Sequence, residues 1–255
     1  MKKILLLTAV LLALTASLAS ALPGLDMSWG GCPLTLSNPT DVTDPCNDDG
    51  ALYFFYMAFS APAGLSKVVS ETFLVDVQTP APSLPDWWHV ETANPSLGTP
   101  DGCRAGSFAF STTRNFVSTT VCKDYWGSSA QPGSALWYPG TGGAGRSRLV
   151  GVFSRSSASA GALTADVEYF AGSGFFDTNH ATAANGICQG CLTPSCIVWN
   201  YLLLQQPAGT PNGDIATSNQ NIRQYMTWQG GGGTQCPGST PTRRATWGQV
   251  KSQYR

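Results

Sequence analysis

Beyond residue 21 the chain contains only three glutamates and three lysines. These two residue types normally cover the solvent-facing side of an amphipathic helix, so a fold built on long surface helices is almost excluded. The sequence instead alternates short runs rich in Val, Phe, Tyr and Thr with clusters of Gly, Pro, Ser and Asn. This pattern predicts an all-β, mainly antiparallel fold, either a β-sandwich or a jelly-roll-like domain.

Six segments carry the strand signal. Residues 51–60 (ALYFFYMAFS) and 196–204 (CIVWNYLLL) are short and nearly continuously apolar, which indicates strands buried on both faces. Residues 71–79 alternate in part between apolar and polar side chains, as a half-buried strand does. The remaining predicted strands cover residues 106–112, 148–154 and 163–170.

The first 21 residues have the pattern of a secretory signal peptide. Lys2 and Lys3 precede an apolar run at residues 4–14, and small residues follow at 19–21. We expect a domain organisation of signal peptide (1–21), β-sandwich domain (22–235) and C-terminal tail (236–255). A secreted or cell-surface protein with no transmembrane segment after cleavage follows from this organisation.

All eight cysteines lie after residue 21, and their even number predicts disulfides in an exported chain. Sequence proximity favours the pairs Cys32–Cys46 and Cys103–Cys122. We expect two further disulfides within the last four cysteines, with their pairing left open: Cys188, Cys191, Cys196 and Cys236. The CxxC spacing at residues 188–191 keeps a four-cysteine zinc site as the alternative.

The end of the chain differs in composition from the rest. Thr246 and Gln249 have capping-box spacing, which predicts a short C-terminal helix over residues 247–254. Arg243 and Arg244 precede it, and one hypothesis is that residues 243–255 are recognised by an export or anchoring apparatus.

Four segments resemble a group of uncharacterised exported bacterial proteins. These segments are LPDWW (84–88), CQGCLTPSCIV (188–198), MTWQGG (226–231) and TPTRRATWGQVKSQYR (240–255). The shared features are the LPDWW segment, a CxxCxxxxC segment and a TWGxxKSxYR tail. The resemblance implies a secreted bacterial protein with a stereotyped C-terminal tail, and it transfers no catalytic residue.

The sequence offers little for catalysis, and no catalytic residue or cofactor is predicted. A serine hydrolase would have to use His89 with Asp86 or His180 with Asp177, and no serine motif accompanies either pair. Asp166 and Glu168 are expected on one face of a strand, where a polar strand edge explains them better than a glycosidase pair does.

A calcium site is also considered, as the less favoured interpretation of the acidic segment 41–49. Five oxygen-bearing side chains occur within nine residues: Asp41, Asp44, Asn47, Asp48 and Asp49. Pro45 and Cys46 interrupt the spacing of a calcium-binding loop, so a turn rich in Asp and Asn that carries a disulfide is favoured.

Aromatic residues are the other candidate ligand-binding groups. Exposed rings stack on sugar faces, and the candidates are Trp87, Trp88, His89, Trp126, Trp137 and Tyr138. Trp126, Trp137 and Tyr138 are expected in Gly/Ser-rich loops. Packing in the core or at a sheet edge is the favoured alternative for these rings.

Taken together, the sequence favours a secreted bacterial protein with a structural or surface-interaction role and no catalysis. A carbohydrate-binding β-sandwich is the alternative, and an extracellular hydrolase comes third. Glycans or cell-surface components are the expected partners. A formal net charge of −1 provides no basic field for nucleic acid.

Overall fold

The computed structural model describes residues 24–33, 38–93, 100–112, 122–127, 130–217 and 223–231. The predicted signal peptide and tail helix lie outside these residues. Within the described ranges no helix is long and apolar enough to cross a membrane.

Twelve strands and two single-turn 3₁₀ helices make up the regular structure of the described residues. The strands are β1 Leu25–Trp29, β2 Asp41–Val42, β3 Leu52–Ser60, β4 Ser70–Gln78, β5 Phe108–Ser111, β6 Lys123–Asp124, β7 Ala130–Pro139, β8 Arg146–Arg155, β9 Glu168–Asp177, β10 Ser195–Gln205, β11 Ile215–Thr217 and β12 Tyr225–Trp228. The 3₁₀ turns cover Asp86–Trp88 and Ala183–Asn185.

Two sheets face each other across one apolar core. Sheet A has the strand order β1-β3-β9-β5, and β6 adds to β9. Sheet B has the order β2-β12-β10-β4-β8-β7, and β11 adds to β10. Among the described strands every pairing is antiparallel except β2–β12 and β6–β9. The chain is therefore an all-β, mainly antiparallel sandwich, as the sequence predicts.

Alternate residues of the central strands fill the space between the sheets. Phe55 and Phe59 of β3 enter it from sheet A, and Phe73, Val75 and Val77 of β4 enter it from sheet B. Each of these side chains is at most 2% exposed. Burial of one such side chain stabilises the fold by about 1.5–3 kcal/mol, so this alternation defines which face of each strand points inward.

Five of the six predicted strands are confirmed with small shifts of their ends, and one is displaced. The expected strand at 163–170 is observed as β9, which starts at Glu168 and continues to Asp177. Gly172 and Gly174 interrupt the apolar pattern there, but a side chain at Gly174 would collide with the ring of Phe55. Glycine is thus needed inside this strand because an aromatic ring from β3 packs directly on its backbone.

Strand β3 is buried on both faces over only part of its length. Residues 55–60 are buried, whereas Leu52 and Phe54 are 52% and 36% exposed. The outer face of sheet A is covered around Tyr56, Ala58 and Phe170, and the first residues of β3 extend beyond this cover.

Three disulfides join segments that are far apart in the sequence: Cys32–Cys122, Cys46–Cys191 and Cys103–Cys188. The predicted pairs Cys32–Cys46 and Cys103–Cys122 are therefore wrong, and Cys188 and Cys191 do not pair within the last four cysteines. Sequence proximity fails because the bridges join loops that only the packed sheets bring together. The zinc alternative is also wrong, since a sulfur in a disulfide offers no thiolate ligand. Cys196 is disulfide-bonded as well, while Cys236 lies outside the described residues.

Candidate functional site

Trp87 and Trp88 belong to the core and not to the surface. Both lie in the 3₁₀ turn after β4 and are 1% exposed. The ring of Trp87 stacks on that of Trp228 at 5.9 Å. The indole N–H of Trp88 donates to the Ser195 hydroxyl at 2.8 Å. Packing in the core, the interpretation favoured from the sequence, is confirmed for both rings, and their candidacy as ligand-binding residues is wrong.

The other aromatic candidates are dispersed over the molecule. Trp126 is 1% exposed. Trp137 and Tyr138 lie in strand β7 and not in a loop, and their side chains point to opposite faces of sheet B. Trp137 is half-buried against the core and donates its indole N–H to the carbonyl of Trp88 at 2.9 Å. The six candidates therefore do not form one flat platform.

Arg104 holds together the loops at this end of the sandwich, and sequence reasoning missed it. Its guanidinium donates to the carbonyl oxygens of Trp87 (2.8 Å), Asn179 (3.1 Å) and Asp177. The side chain is fully buried, and burial lowers its pKa to about 9 against the opposing effect of the Asp177 charge. The guanidinium thus links the Asp86–Trp88 turn to the segment after β9.

Two disulfides reinforce the same group of loops. Cys103 precedes Arg104 and is bonded to Cys188, which lies in the segment between β9 and β10. The second bridge, Cys46–Cys191, ties that segment to the loop before β3. We call this end of the sandwich the braced loops, meaning residues 43–51, 85–93, 100–107 and 178–194. A cysteine next to an arginine in a short Gly-containing loop is the one local signal that marks this place in the sequence.

His89 is the sequence candidate that remains partly accessible. Its side chain is 30% exposed, and its Nδ1 lies 2.8 Å from Oε1 of Glu91, whose side chain is 9% exposed. The hydrogen bond to Glu91 raises the pKa of His89. Oε2 of Glu91 is buried and has no hydrogen-bond partner among the described residues. The partner of His89 is therefore Glu91, and not Asp86, the carboxylate that a hydrolase would have required.

The second histidine, His180, lies in the segment between β9 and β10. Nδ1 of His180 lies 3.1 Å from the carbonyl oxygen of Gly186. Asp177 accepts a hydrogen bond from the backbone N–H of Asn179 and lies 3.9 Å from the Arg104 guanidinium. Asp177 thus contacts Asn179 and Arg104, and both contacts hold the loops together.

The acidic segment 41–49 uses its carboxylates to fasten other parts of the chain. Asp41 accepts from the Thr227 hydroxyl at 2.6 Å. Asp49 accepts from the backbone N–H and the hydroxyl of Thr182 at 2.9 and 2.7 Å. The backbone N–H of Cys46 donates to the Asp44 carboxylate at 2.6 Å.

Two side chains of this segment accept further hydrogen bonds, and a third is exposed. The Tyr53 hydroxyl also donates to Asp44, and burial together with this carboxylate raises the pKa of Tyr53 to about 12. The Thr178 hydroxyl lies 3.4 Å from Asp48, and Asn47 is exposed. The candidate calcium ligands therefore reach toward separate segments. Within the described chain one group of metal-type ligands comes together, Asp44 with Cys46 and Cys191, and its two sulfurs form a disulfide.

A buried carboxyl group lies at the opposite end of the sandwich from the braced loops. Glu168 at the start of β9 is 3% exposed and accepts from the Ser60 hydroxyl at 3.0 Å. Burial, and then the charge of Asp26 on β1, raise its pKa to about 8. Asp166 is exposed in a turn with φ of 60° and lies outside the strand. The prediction that Asp166 and Glu168 share a strand face is wrong.

Glu71 is a second buried acid, and it faces the core. It shares the inner face of β4 with Phe73 and has no exposed surface. Burial raises its pKa well above the ordinary value, with Trp126 acting in the opposite direction. The indole N–H of Trp126 and the carboxyl oxygens do not reach regular hydrogen-bond geometry. Burial of Glu71 therefore favours its protonated form relative to an exposed glutamate.

Comparison with known proteins adds little to this picture. Neither the protein families nor the curated proteins contain a match to the chain. Among solved structures, it is similar to the second type II cohesin module from the cellulosomal adaptor ScaA scaffoldin of Acetivibrio cellulolyticus, with 12% identity, a TM-score of 0.25 and coverage of 80% of this chain and 83% of that one. A second structure of that module, which includes its long C-terminal linker, gives 12% identity, a TM-score of 0.28 and coverage of 91% and 98%. The fold assignment rests on the sheets described above.

Proposed function

We propose that this chain is an exported bacterial β-sandwich with a structural or surface-contact role and no catalytic one. The observation that carries the proposal is the buried Arg104, which holds three carbonyl oxygens of separate loops beside two disulfides. Active sites need accessible groups that meet a substrate. Here the braced loops, which carry the histidines and several of the candidate carboxylates, are held to one another by Arg104 and two disulfides.

Individual contacts support this proposal. Asp177 pairs with Arg104, and Asp44 accepts the hydroxyl hydrogen of Tyr53. The rings of Trp87 and Trp88 pack inside the sandwich. Groups that could act as nucleophile, base or stacking platform therefore have structural contacts at this end. A rigid module of this kind suits display or assembly outside the cell, where disulfides persist.

The test is to purify the secreted chain with its disulfides intact and measure its binding to isolated cell envelopes alongside a panel of ester and glycoside substrates. We expect saturable envelope binding and no turnover. Turnover that disappears in His89→Ala would contradict the proposal and would identify an enzyme.

Glycan binding is a second candidate function, and its site would be the surface around His89. His89 is 30% exposed and contacts Glu91, and Trp137 donates to the carbonyl oxygen of Trp88, the residue before His89. An imidazole and a carboxylate are suited to sugar hydroxyls. Retention on insoluble polysaccharide should fall in His89→Ala and Glu91→Gln and persist in the control His180→Ala. Equal retention of all three variants would remove this candidate.

A further inference from the structure

The outer side of sheet B carries an exposed apolar surface. It comprises six side chains on four neighbouring strands, and we call it the outer face: Leu74, Leu136, Val150, Val152, Tyr201 and Leu203. Leu136 and Val152 are 41% and 42% exposed, and the other four are half-buried. Leu136, Val150, Leu74 and Tyr201 are directly opposite one another across β7, β8, β4 and β10.

A polar group borders this surface and fixes its shape. The guanidinium of Arg148 donates to both carboxylate oxygens of Asp76 at 2.6 and 2.9 Å, and the Asn200 amide donates to the same carboxylate at 2.8 Å. A bidentate pair of this kind holds adjacent strands in a defined arrangement. The outer face is therefore a preformed surface.

The described chain ends beside this surface. Gly231 packs against the backbone of Ser195 at the start of β10, and its carbonyl oxygen lies 3.0 Å from Sγ of Cys196. The side chain of Cys196 points to the outer side of sheet B, because its neighbour Ile197 enters the core. The described chain thus ends at the start of β10, on the outer side of sheet B. Residues 232–255 follow as the terminal segment.

A disulfide fixes where this terminal segment begins. Cys196 is disulfide-bonded, and six other cysteines pair among themselves. Cys236 is the one cysteine of the eight left as its partner. Cys196 lies four residues along and two strands across from Val150 in the sheet register, about 13 Å in one direction and about 10 Å in the other.

The composition of the terminal segment suits the outer face. Trp247, Val250 and Tyr254 have the i, i+3, i+7 spacing of one helix face. The ten residues between Cys236 and Trp247 can span up to about 33 Å. Residues 232–255 contain four basic and no acidic side chains, whereas residues 22–231 contain eight basic and fifteen acidic ones, a formal charge of −7. Opposite charge favours contact of the segment with its own domain.

We propose that residues 239–255 dock in cis on the outer face, with Trp247, Val250 and Tyr254 covering Leu74, Leu136, Val150 and Tyr201. The Cys196–Cys236 disulfide keeps the segment close to its docking surface and raises its effective concentration there. The segment then covers the apolar outer side of sheet B.

The decisive experiment is hydroxyl-radical footprinting of the mature protein and of a chain ending at Gly238, which retains the disulfide. Truncation should raise oxidation of Leu74, Leu136 and Tyr201 several-fold. The exposed side chains Leu52 and Leu192 lie elsewhere and serve as internal controls with unchanged rates.

Point variants in the full chain keep the test decisive if the truncated chain does not fold. Trp247→Ser should uncover the same side chains, whereas Gln249→Ala, on the other side of the expected helix, should not. Unchanged oxidation in Trp247→Ser would overturn the proposal.

Two further measurements separate the alternatives. Non-reducing peptide mapping should link the peptide of Cys196 to that of Cys236, and any other partner would remove the tether. Sedimentation at two protein concentrations should give a monomer with the outer face protected. Protection that appears only together with a dimer would assign the face to a second copy and would overturn docking in cis.

Discussion

The guanidinium carbon of Arg104 lies 3.4 Å from the centre of the Trp87 ring, with both side chains fully buried. An arginine stacked on an indole in a dry environment gains a cation–π interaction of about 2 kcal/mol or more. The same guanidinium donates to the carbonyl oxygen of Trp87 itself and to that of Asn179, in the segment after β9. One side chain thereby fixes the position of the turn that the sequence suggested as a ligand platform.

Loss of this side chain should be costly. Arg104→Ala leaves three carbonyl oxygens and Asp177 without their buried donor, and we expect it to lower the free energy of unfolding by about 3–5 kcal/mol. Chemical denaturation monitored by tryptophan fluorescence measures the change. The matched control is Arg146→Ala at the half-buried start of β8, for which a change within about 0.5 kcal/mol is expected. Equal effects of the two variants would show that Arg104 has no special role.

Gly151 in β8 marks a point where a side chain has no room. A Cβ there would lie within van der Waals overlap of the Phe73 ring of β4. Gly151→Ala should therefore destabilise the fold by about 1–3 kcal/mol, since the ring must move within a packed core. Gly161→Ala is the control, because no atom lies within 4 Å of its added Cβ, and its stability should be unchanged or slightly higher. Thermal unfolding of both variants decides the point.

Glu168 makes stability depend on pH. Its pKa rises from an ordinary value of 4.5 to about 8 in the folded chain. Between these two values the folded chain keeps a proton that the unfolded chain releases, so stability falls as pH rises. This group contributes a slope of up to about 1.4 kcal/mol per pH unit. Urea unfolding at pH 5, 6, 7 and 8 measures the slope.

The matched variant for this effect is Glu168→Gln, which stays neutral at every pH and can retain the contact with Ser60. We expect a smaller pH slope for the variant and stability at pH 8 at least equal to that of the parent chain. Glu71 keeps part of the slope, because burial raises its pKa in the same direction. Identical slopes in variant and parent would contradict the assignment.

The long-range disulfides should dominate the stability of the braced loops. In the chain-entropy model, removal of Cys46–Cys191, with a sequence separation of 145 residues, costs about 4–5 kcal/mol. The double variant Cys46→Ala, Cys191→Ala tests this by chemical denaturation. Peptide mapping of the parent chain without reduction should recover this pair, and a Cys32–Cys46 link would contradict the structure.

The sequence predicted the core strands because burial acts on local patterns. In residues 71–79 the alternation places Phe73, Val75 and Val77 on the inner face, where the structure has them. Strand β7 was not predicted, because Pro132 and Gly133 are typical of a loop. Gly133 is instead required because a side chain there would strike the ring of Phe153. A glycine that makes room for a partner strand looks the same in sequence as a glycine in a turn.

The candidate site was predicted less well for a related reason. Trp87 and Trp88 were visible as an unusual pair, but their exposure depends on Trp228 and Ser195, which come from distant strands. Arg104 carries no recognisable motif, since its three acceptors are backbone carbonyls. The contact of His89 with Glu91 depends on the backbone path after the 3₁₀ turn, which the sequence pattern does not reveal.

The sequence by itself determined that this chain folds into packed sheets. The scarcity of glutamate and lysine excludes surface helices, and the apolar alternation is a pattern of residues close together in the chain. The even number of cysteines likewise predicted disulfides, since a count needs no knowledge of the fold. The pairing of those cysteines, the burial of the tryptophans and the charge state of Glu168 were decided by the tertiary structure. Each depends on which distant strands and loops pack together, and contacts of that range leave no periodic mark in the sequence.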